Sequence, residues 1–349
     1  MTTTVRTVAV CYPQVPFVRG GAELLVESLI HELRHRGFRA EGVSIPFFWE
    51  PRTAPIDQCF AWRLVTLKEA WGNEIDRVVA TKFPSYVVRH PNKVTWLTHQ
   101  FRQVYDLFET PWSGYTREPE DLRVREAIRR IDCQSLSEGR DLFAISKNVA
   151  RRLQRYNGLE ARVLYPPPPG GDAFVPGRYE DYVLSVGRID ALKRVEPLVE
   201  AMAHVSGSTK CLIAGTGPDE ERLRKRVASL GLEDRIRFVG AVPLDELVRL
   251  MSNCLAVYFA PYDEDYGYVT LEAFLSKKPV ITAPDSGGPL EFVEDGVTGR
   301  IVDLEPEALA AAIDSFSRKP DLARDMGEVG FGRARAIEWD PVIEALTAE

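Results

Sequence analysis

The chain has 349 residues, 45% hydrophobic and 27% charged, with a formal net charge of −7. That is the composition of an ordinary globular protein, too long for one core and suited to two domains; no apolar run reaches the ~18 residues of a membrane-spanning helix. Five scattered cysteines with no Cys-x-x-Cys pair argue against a disulfide framework or a zinc site and for a reducing cytoplasm. Residues 1–172 hold 24 basic and 20 acidic side chains, whereas 173–349 hold 20 and 31. A mildly basic first half suits an anionic acceptor or a membrane surface, and equally fits a chance imbalance.

Met1-Thr-Thr-Thr-Val-Arg6 leads straight into a strand and lacks the apolar core of a signal peptide. Thr7-Val-Ala-Val-Cys11 reads as a short buried strand. It is followed by the pair Gly20-Gly21 and a helix over 22–36, in which Leu25, Leu29 and Leu33 form the stripe that packs on a sheet. Strand, glycine turn and helix open a Rossmann-like unit, but Gly-x-Gly-x-x-Gly is missing, so a nicotinamide or flavin site is poorly supported. Gly-Gly at such a turn removes side chains where something approaches the backbone, or simply makes the turn tight. His31 and His35 sit on a charged helix face and read as solvated.

Arg77-Val-Val-Ala80 and Val94-Thr-Trp-Leu97 are the next strands. The second runs into Thr98-His99-Gln100 and places His99 at a carboxyl end, where open α/β sheets bind ligands. A lone histidine there is by itself more often structural. A helix over 121–132 puts Arg125 and Arg129 on one face, as an anion or membrane patch or as solvated surface. Phe143-Ala-Ile-Ser146 is a further strand, with Ser146 placed to cap a helix from Lys147. Tyr165-Pro-Pro-Pro-Pro-Gly-Gly171 is the interdomain linker, extended by its prolines and ended by its glycines.

The pattern then restarts. Tyr182-Val-Leu-Ser-Val186 runs into Gly187-Arg188, with Lys193 five residues on; a guanidinium and an ammonium at a sheet edge can neutralise a diphosphate. Cys211-Leu-Ile-Ala214 precedes Gly215-Thr-Gly217-Pro and a helix opened by Asp219 and Glu220, and Ile236-Arg-Phe-Val239 is a fourth strand. The apolar run 255–260 feeds an acidic loop with Asp263, Glu264 and Asp265. A helix starts near Gly267 and carries Glu272 in its first turns. Pro279-Val-Ile-Thr282 leads to Ser286-Gly287-Gly288-Pro, whose glycines let N–H groups face an anion ahead of a helix. Glu338-Trp-Asp-Pro-Val-Ile-Glu-Ala-Leu346 looks like a terminal helix.

Five motifs in this order, Gly20-Gly-Ala-Glu23, Gly187-Arg188-x4-Lys193, Gly215-Thr-Gly-Pro218, Glu264-x7-Glu272 and Gly287-Gly-Pro-Leu-Glu291, resemble the family 4 retaining glycosyltransferases of the GT-B fold. The resemblance spans nearly the whole chain and is densest from 182 to 303. It implies an α/β protein of two Rossmann-like domains facing each other across a cleft. Residues 1–168, completed by a crossover helix at 335–349, would form the acceptor domain, and 172–334 the nucleotide-sugar donor domain. Arg188 and Lys193 would hold the donor diphosphate, with Gly20 and Gly21 closing over it, and Glu272 would accept from the ribose hydroxyls. Gly215 and Gly217 would line the nucleotide pocket, while Gly267, Gly287 and Gly288 would offer backbone donors to sugar or phosphate. Glu264 would contact the transferred sugar and His99 would sit beside its anomeric carbon. Two departures stand out: Ser276-Lys-Lys-Pro279 lies where the family carries a glycine, and Tyr266 replaces the commoner Phe.

The implied activity is metal- and cofactor-free hexosyl transfer from a UDP- or GDP-sugar to a saccharide or lipid-linked saccharide, by same-face attack, with no nucleic-acid partner. Phe47-Phe-Trp49 and Phe101-Arg-Gln-Val-Tyr105 would shape the acceptor side. Exposed aromatics beside basic helices hint at peripheral contact with an anionic membrane at the inner face of the plasma membrane; the same aromatics would also fit a core. The alternatives are a sugar-nucleotide or glycan-binding module without transferase activity, a GT-B nucleotide-sugar epimerase or phosphorylase, and a nicotinamide-dependent oxidoreductase. A pure binder would not need the diphosphate clamp together with both glutamates.

Overall fold

A computed structural model describes residues 5–348; Met1 to Thr4, which the sequence reading takes as running straight into a strand, and Glu349 lie outside it. The chain divides into two compact units, Met1–Pro169 with Glu338–Glu349, and Gly170–Ile337. The first contains β1 (Thr7–Gln14), α1 (Gly21–His35), β2 (Arg39–Pro46), α2 (Ala54–Leu64), a small antiparallel pair β3 (Glu69–Ala70) and β4 (Asn73–Glu74), β5 (Arg77–Ala80), β6 (Lys93–Leu97), α3 (Pro119–Ser137), β7 (Asp141–Ala144), α4 (Lys147–Asn157) and β8 (Arg162–Val163). The second contains β9 (Tyr182–Val186), α5 (Val195–Ala201), β10 (Lys210–Ala214), α6 (Glu220–Ser229), β11 (Ile236–Gly240), α7 (Leu244–Asn253), β12 (Ala256–Tyr258), α8 (Tyr268–Leu275), β13 (Val280–Thr282), β14 (Gly299–Ile301), α9 (Pro306–Arg318) and α10 (Pro320–Arg335). A last helix, α11 (Trp339–Thr347), returns to the first unit.

Each unit is built on a six-stranded parallel sheet, ordered β2-β1-β5-β6-β7-β8 in the first and β11-β10-β9-β12-β13-β14 in the second. Both orders reverse beside the first strand of the unit, so the loops leaving β1 and β5, and those leaving β9 and β12, splay apart around a crevice at the carboxyl edge. The strands there read as continuous apolar runs because helices cover both faces of a parallel sheet. In the first unit Leu25, Leu29 and Leu33 of α1 are fully buried, as their spacing predicts. Ser146 caps α4 by accepting the Val149 amide at 3.0 Å. In α11, Val342, Ile343 and Leu346 are buried and Trp339 packs edge-on against Trp96. The buried Arg77 guanidinium donates to the carbonyls of Leu346 and Ala348, closing the end of that helix.

Three expectations are refined. Arg125 and Arg129 form no open cationic patch: Arg125 donates to the Val104 carbonyl and lies over the Phe108 ring, and Arg129 donates to the Tyr156 carbonyl. Phe47 belongs to an aromatic core with Phe83 and Phe101, while its neighbours Phe48 and Trp49 are half exposed. Phe101 and Tyr105 are buried too, so little of 101–105 is left to face an acceptor.

The missing glycine before Pro279 also has a physical answer. Lys277 adopts φ of 56°, in the left-handed region that a glycine would occupy without cost. It is retained with an ion pair to Glu328 and a position over the Phe331 ring. Left-handed backbone costs a side-chain-bearing residue about 1–2 kcal/mol, and a partly exposed ion pair returns less than about 1 kcal/mol. Lys277→Gly is therefore expected to stabilise the second unit by about 0.5–1 kcal/mol in urea unfolding, whereas Lys277→Ala, which keeps the strain and loses the pair, stabilises nothing.

Candidate functional site

The second unit gathers its charged residues at the carboxyl edge, around the β9–β12 crevice. Arg188 leaves β9 with an exposed side chain whose nearest acid is Asp190, at 3.4 Å. Lys193 reaches across from the same loop, and its Nζ lies 2.7 Å from Glu264 Oε2, both side chains about three-quarters buried. The Lys193 ammonium is also 5.5 Å from the centre of the Phe259 ring. The acidic loop that carries Glu264 does not stand alone. Asp263 N donates to Asp285 O and Glu264 N to Ser286 O, at 2.9 Å each, and Gly288 N donates to Glu264 O at 2.8 Å. The acidic and glycine loops are thus zipped together as a short parallel bridge between Glu264 and Gly287.

That pairing divides the two glycines that sequence treats alike. The Gly288 amide is spent on Glu264, whereas the Gly287 amide has no acceptor among the described residues. Residues 288–291 form a single 3-10 turn rather than the helix expected there. Gly267 precedes α8 with φ of 88°, and a Cβ on it would lie 2.8 Å from the Phe259 ring. It can therefore be nothing larger. Gly215 and Gly217 are explained by packing alone: Cβ atoms there would meet the carbonyl oxygens of Gly187 at 1.9 Å and Ile189 at 2.1 Å. Their loop presses directly on the one that carries Arg188.

Glu272 sits one helical turn beyond Tyr268 on α8. Its carboxylate accepts no hydrogen bond among the described residues, and burial pushes it from the ordinary range near 4.5 up to about 7. Tyr268, four residues earlier and so on the same face, buries a hydroxyl that has no partner either, and burial followed by the Glu272 charge raises it well above the usual phenol. The buried Tyr268 hydroxyl and the half-buried Glu272 carboxylate thus lie on one face of α8 as a donor and an acceptor that the described residues do not use. The sequence singles out Glu272 but not Tyr268, whose aromatic ring reads as core. The raised carboxyl carries a sign. The folded state holds a proton that the unfolded chain releases, so the stability it brings is full below about 4.5 and declines as pH rises toward about 7. Glu272→Gln is expected to gain on wild type in urea unfolding as pH goes from 5 to 8. The difference isolates Glu272 from Asp132, whose buried carboxyl is also pushed up to about 7.

In the first unit, Gly20 caps α1 and donates its amide to Glu23 Oε2 at 2.9 Å, while Glu23 Oε1 takes the Lys82 ammonium at 2.7 Å. The Gly20 amide is therefore engaged, and Lys82, at the exit of β5, joins the glycine turn across the switch point. Gly21 is the first, exposed residue of α1. His99 follows β6, with Nδ1 2.6 Å from the Gln100 carbonyl. A carbonyl only accepts, so Nδ1 is the donor in that contact, which fixes the orientation of the ring.

No described helix is long and apolar enough to cross a membrane. Among the described residues no group of three His, Cys, Asp or Glu side chains gathers as a metal site.

Residues 176–333 match the family model for glycosyl transferases group 1. The human alpha-1,3/1,6-mannosyltransferase ALG2 is 30% identical over 203 residues, 51% of this chain and 49% of that protein. The D-inositol 3-phosphate glycosyltransferase of Corynebacterium jeikeium is 27% identical over 297 residues, 72% of this chain and 69% of its own length. Further relatives align over 28% to 53% of their own length, so the chain spans about half the length, or less, of most of the curated relatives it matches. Among solved structures, HepE from Anabaena in complex with UDP and glucose superposes with a TM-score of 0.71 at 18% identity, covering 99% of this chain and 100% of that one.

Proposed function

We propose that the chain, whose residues 176–333 match the group 1 glycosyl transferase model and whose fold is that of GT-B enzymes, is a GT4-type retaining hexosyltransferase, moving a sugar from a UDP- or GDP-sugar to a saccharide or lipid-linked saccharide. The observation that carries this reading is one sheet edge holding Arg188, the Lys193–Glu264 pair and the unpartnered Glu272 carboxylate. Arg188 and Lys193 meet the negative charge that grows on the departing diphosphate, and no metal is needed for it. Glu272 accepts from the ribose hydroxyls, with the Tyr268 hydroxyl beside it. Glu264, one oxygen held by Lys193, accepts from hydroxyls of the transferred sugar and is not the nucleophile. The acceptor attacks from the face the diphosphate leaves, and a departing phosphate oxygen takes its proton. UDP and glucose bound in HepE support the donor class, and the mannosyltransferase name of ALG2 supports a hexose.

For the acceptor, Phe48 and Trp49 stand half exposed, and Phe60 and Leu64 of α2 project further. These favour a lipid-linked saccharide reached at an anionic membrane surface, on the reducing side of the membrane where the five free thiols would persist. Transfer only to soluble acceptors, with no retention on anionic liposomes, would remove that part.

The test is thermal shift and slow donor hydrolysis over UDP-, GDP-, ADP- and dTDP-sugars, with and without EDTA. One sugar nucleotide that stabilises and is hydrolysed regardless of EDTA, and whose binding weakens in Glu272→Ala, is the expected result. Binding without turnover in the presence of any acceptor would leave a non-catalytic sugar-nucleotide module. No binding at all would end the donor-site reading.

A further inference from the structure

We infer that Arg194 is a positioning residue for the reaction, locking the acidic loop and the glycine loop of the second unit into one register. That role rests on the transferase reading above and concerns how the same site keeps its shape. Arg194 follows Lys193 directly and adopts φ and ψ of 50°, a left-handed conformation that costs a side-chain-bearing residue about 1–2 kcal/mol. Its guanidinium shows what that conformation achieves. Nε donates to Ala260 O at 2.8 Å and Nη2 to Pro261 O at 2.7 Å, where the acidic loop leaves β12. Nη1 and Nη2 grip Asp285 in a fork, at 2.8 and 2.7 Å, in the loop after β13. The Arg194 carbonyl in turn accepts the Tyr258 hydroxyl at 2.7 Å.

Three segments therefore converge on one side chain: the β9–α5 loop with Arg188 and Lys193, the root of the acidic loop, and the loop ahead of Gly287. Asp285 is held twice, since its carboxylate meets Arg194 while its carbonyl takes the Asp263 amide. Two consecutive basic residues thus hold the acidic loop at both ends, Arg194 at its root and Lys193 at Glu264. They differ in what remains for a substrate. Four of the five Arg194 N–H donors are taken by the protein, and the side chain is only 15% exposed. Arg194 acts on the substrate only through Glu264 and the Gly287 amide, whose spacing it sets. A lysine cannot replace it, because a point charge does not bridge two carbonyls and a carboxylate in fixed directions.

The test compares wild type with Arg194→Gly, Arg194→Lys and Asp285→Asn. Glycine relieves the left-handed strain while deleting the clamp, so Arg194→Gly should keep its melting temperature within ~4 °C and separate the clamp from the fold. Amide hydrogen exchange over 261–267 and 285–288 is expected to accelerate by at least about tenfold in that variant while β9 and β13 keep their protection. In the donor hydrolysis or transfer assay, kcat should fall about 10–100-fold while the nucleoside diphosphate Kd stays within about threefold. Arg194→Lys should not rescue kcat, and Asp285→Asn should add nothing further to Arg194→Gly. Unchanged exchange in the two loops overturns the assignment. So does a kcat within about threefold of wild type, or a loss of diphosphate affinity as large as the loss of kcat, which marks a plain structural staple. A wild type that binds no sugar nucleotide sinks the transferase reading instead, and the exchange comparison still decides whether Arg194 sets the loops.

Discussion

Lys193→Ala is expected to lower kcat/KM for the donor by about 10²–10³-fold, a loss of roughly 2.7–4 kcal/mol of transition-state stabilisation. The size follows from where the ammonium stands. It is mostly out of water and 2.7 Å from Glu264, where a charge aimed at the leaving group is worth more than in bulk solvent. Removing it has a second effect, since Glu264 loses the ammonium that pairs with it. Stability should change little, because a partly exposed pair contributes about 1 kcal/mol or less. A melting temperature within ~4 °C of wild type is the control that keeps the kinetic loss interpretable. Glu264→Gln should behave differently: it frees the ammonium, so nucleoside diphosphate binding holds or tightens while turnover falls. Steady-state kinetics together with calorimetry on the free nucleoside diphosphate distinguish the two. Turnover within about threefold of wild type in Lys193→Ala would take the lysine off the reaction path.

Much of this site was legible because parallel α/β sheets place chemistry at strand ends, and strand ends are the easiest boundaries to read. The runs ending at Val186 and Ala260 are apolar and stop abruptly, and Arg188, Lys193 and Glu264 follow within a few residues. Glu272 came with them, through its eight-residue spacing from Glu264. What stayed hidden depends on partners distant in sequence. Arg194 looks like one more basic residue at a helix start; its left-handed backbone and its hold on residues 66 to 91 positions away exist only in the folded unit. Tyr268 reads as core until its hydroxyl is seen to lack a partner. Phe47, Phe48 and Trp49 are alike in chemistry and are sorted only by packing. Lys277 is the reverse case. Sequence marked the absence of glycine as a problem for the turn, and the backbone simply takes the left-handed shape at a cost. Glycines are the hardest to interpret, because sequence shows that space is needed without showing what fills it. At Gly215 and Gly217 the occupant is another loop of the same unit.

Gly217→Ala is therefore expected to damage the second unit itself, by more than about 3 kcal/mol. The new Cβ would stand 2.1 Å from the Ile189 oxygen, 2.6 Å from its carbonyl carbon and 2.7 Å from its nitrogen. All three are main-chain atoms, so no side-chain rotation relieves the clash. One of the two loops has to move. The Ile189 amide is bonded to Thr216 O at 3.0 Å and its carbonyl accepts the Asp219 amide at 3.1 Å, so the displacement breaks the seam that joins them and frays the start of α6. Arg188 is the residue immediately before Ile189, and its guanidinium would be carried away from the edge it shares with Lys193. Donor binding should then fail together with folding, seen as a melting temperature lowered by ~6 °C or more even without ligand. A ligand-facing glycine predicts the opposite pattern, in which the variant melts like wild type and only the sugar nucleotide loses affinity. That result would return Gly217 to the nucleotide pocket and show that the two loops part more easily than their main-chain contacts imply.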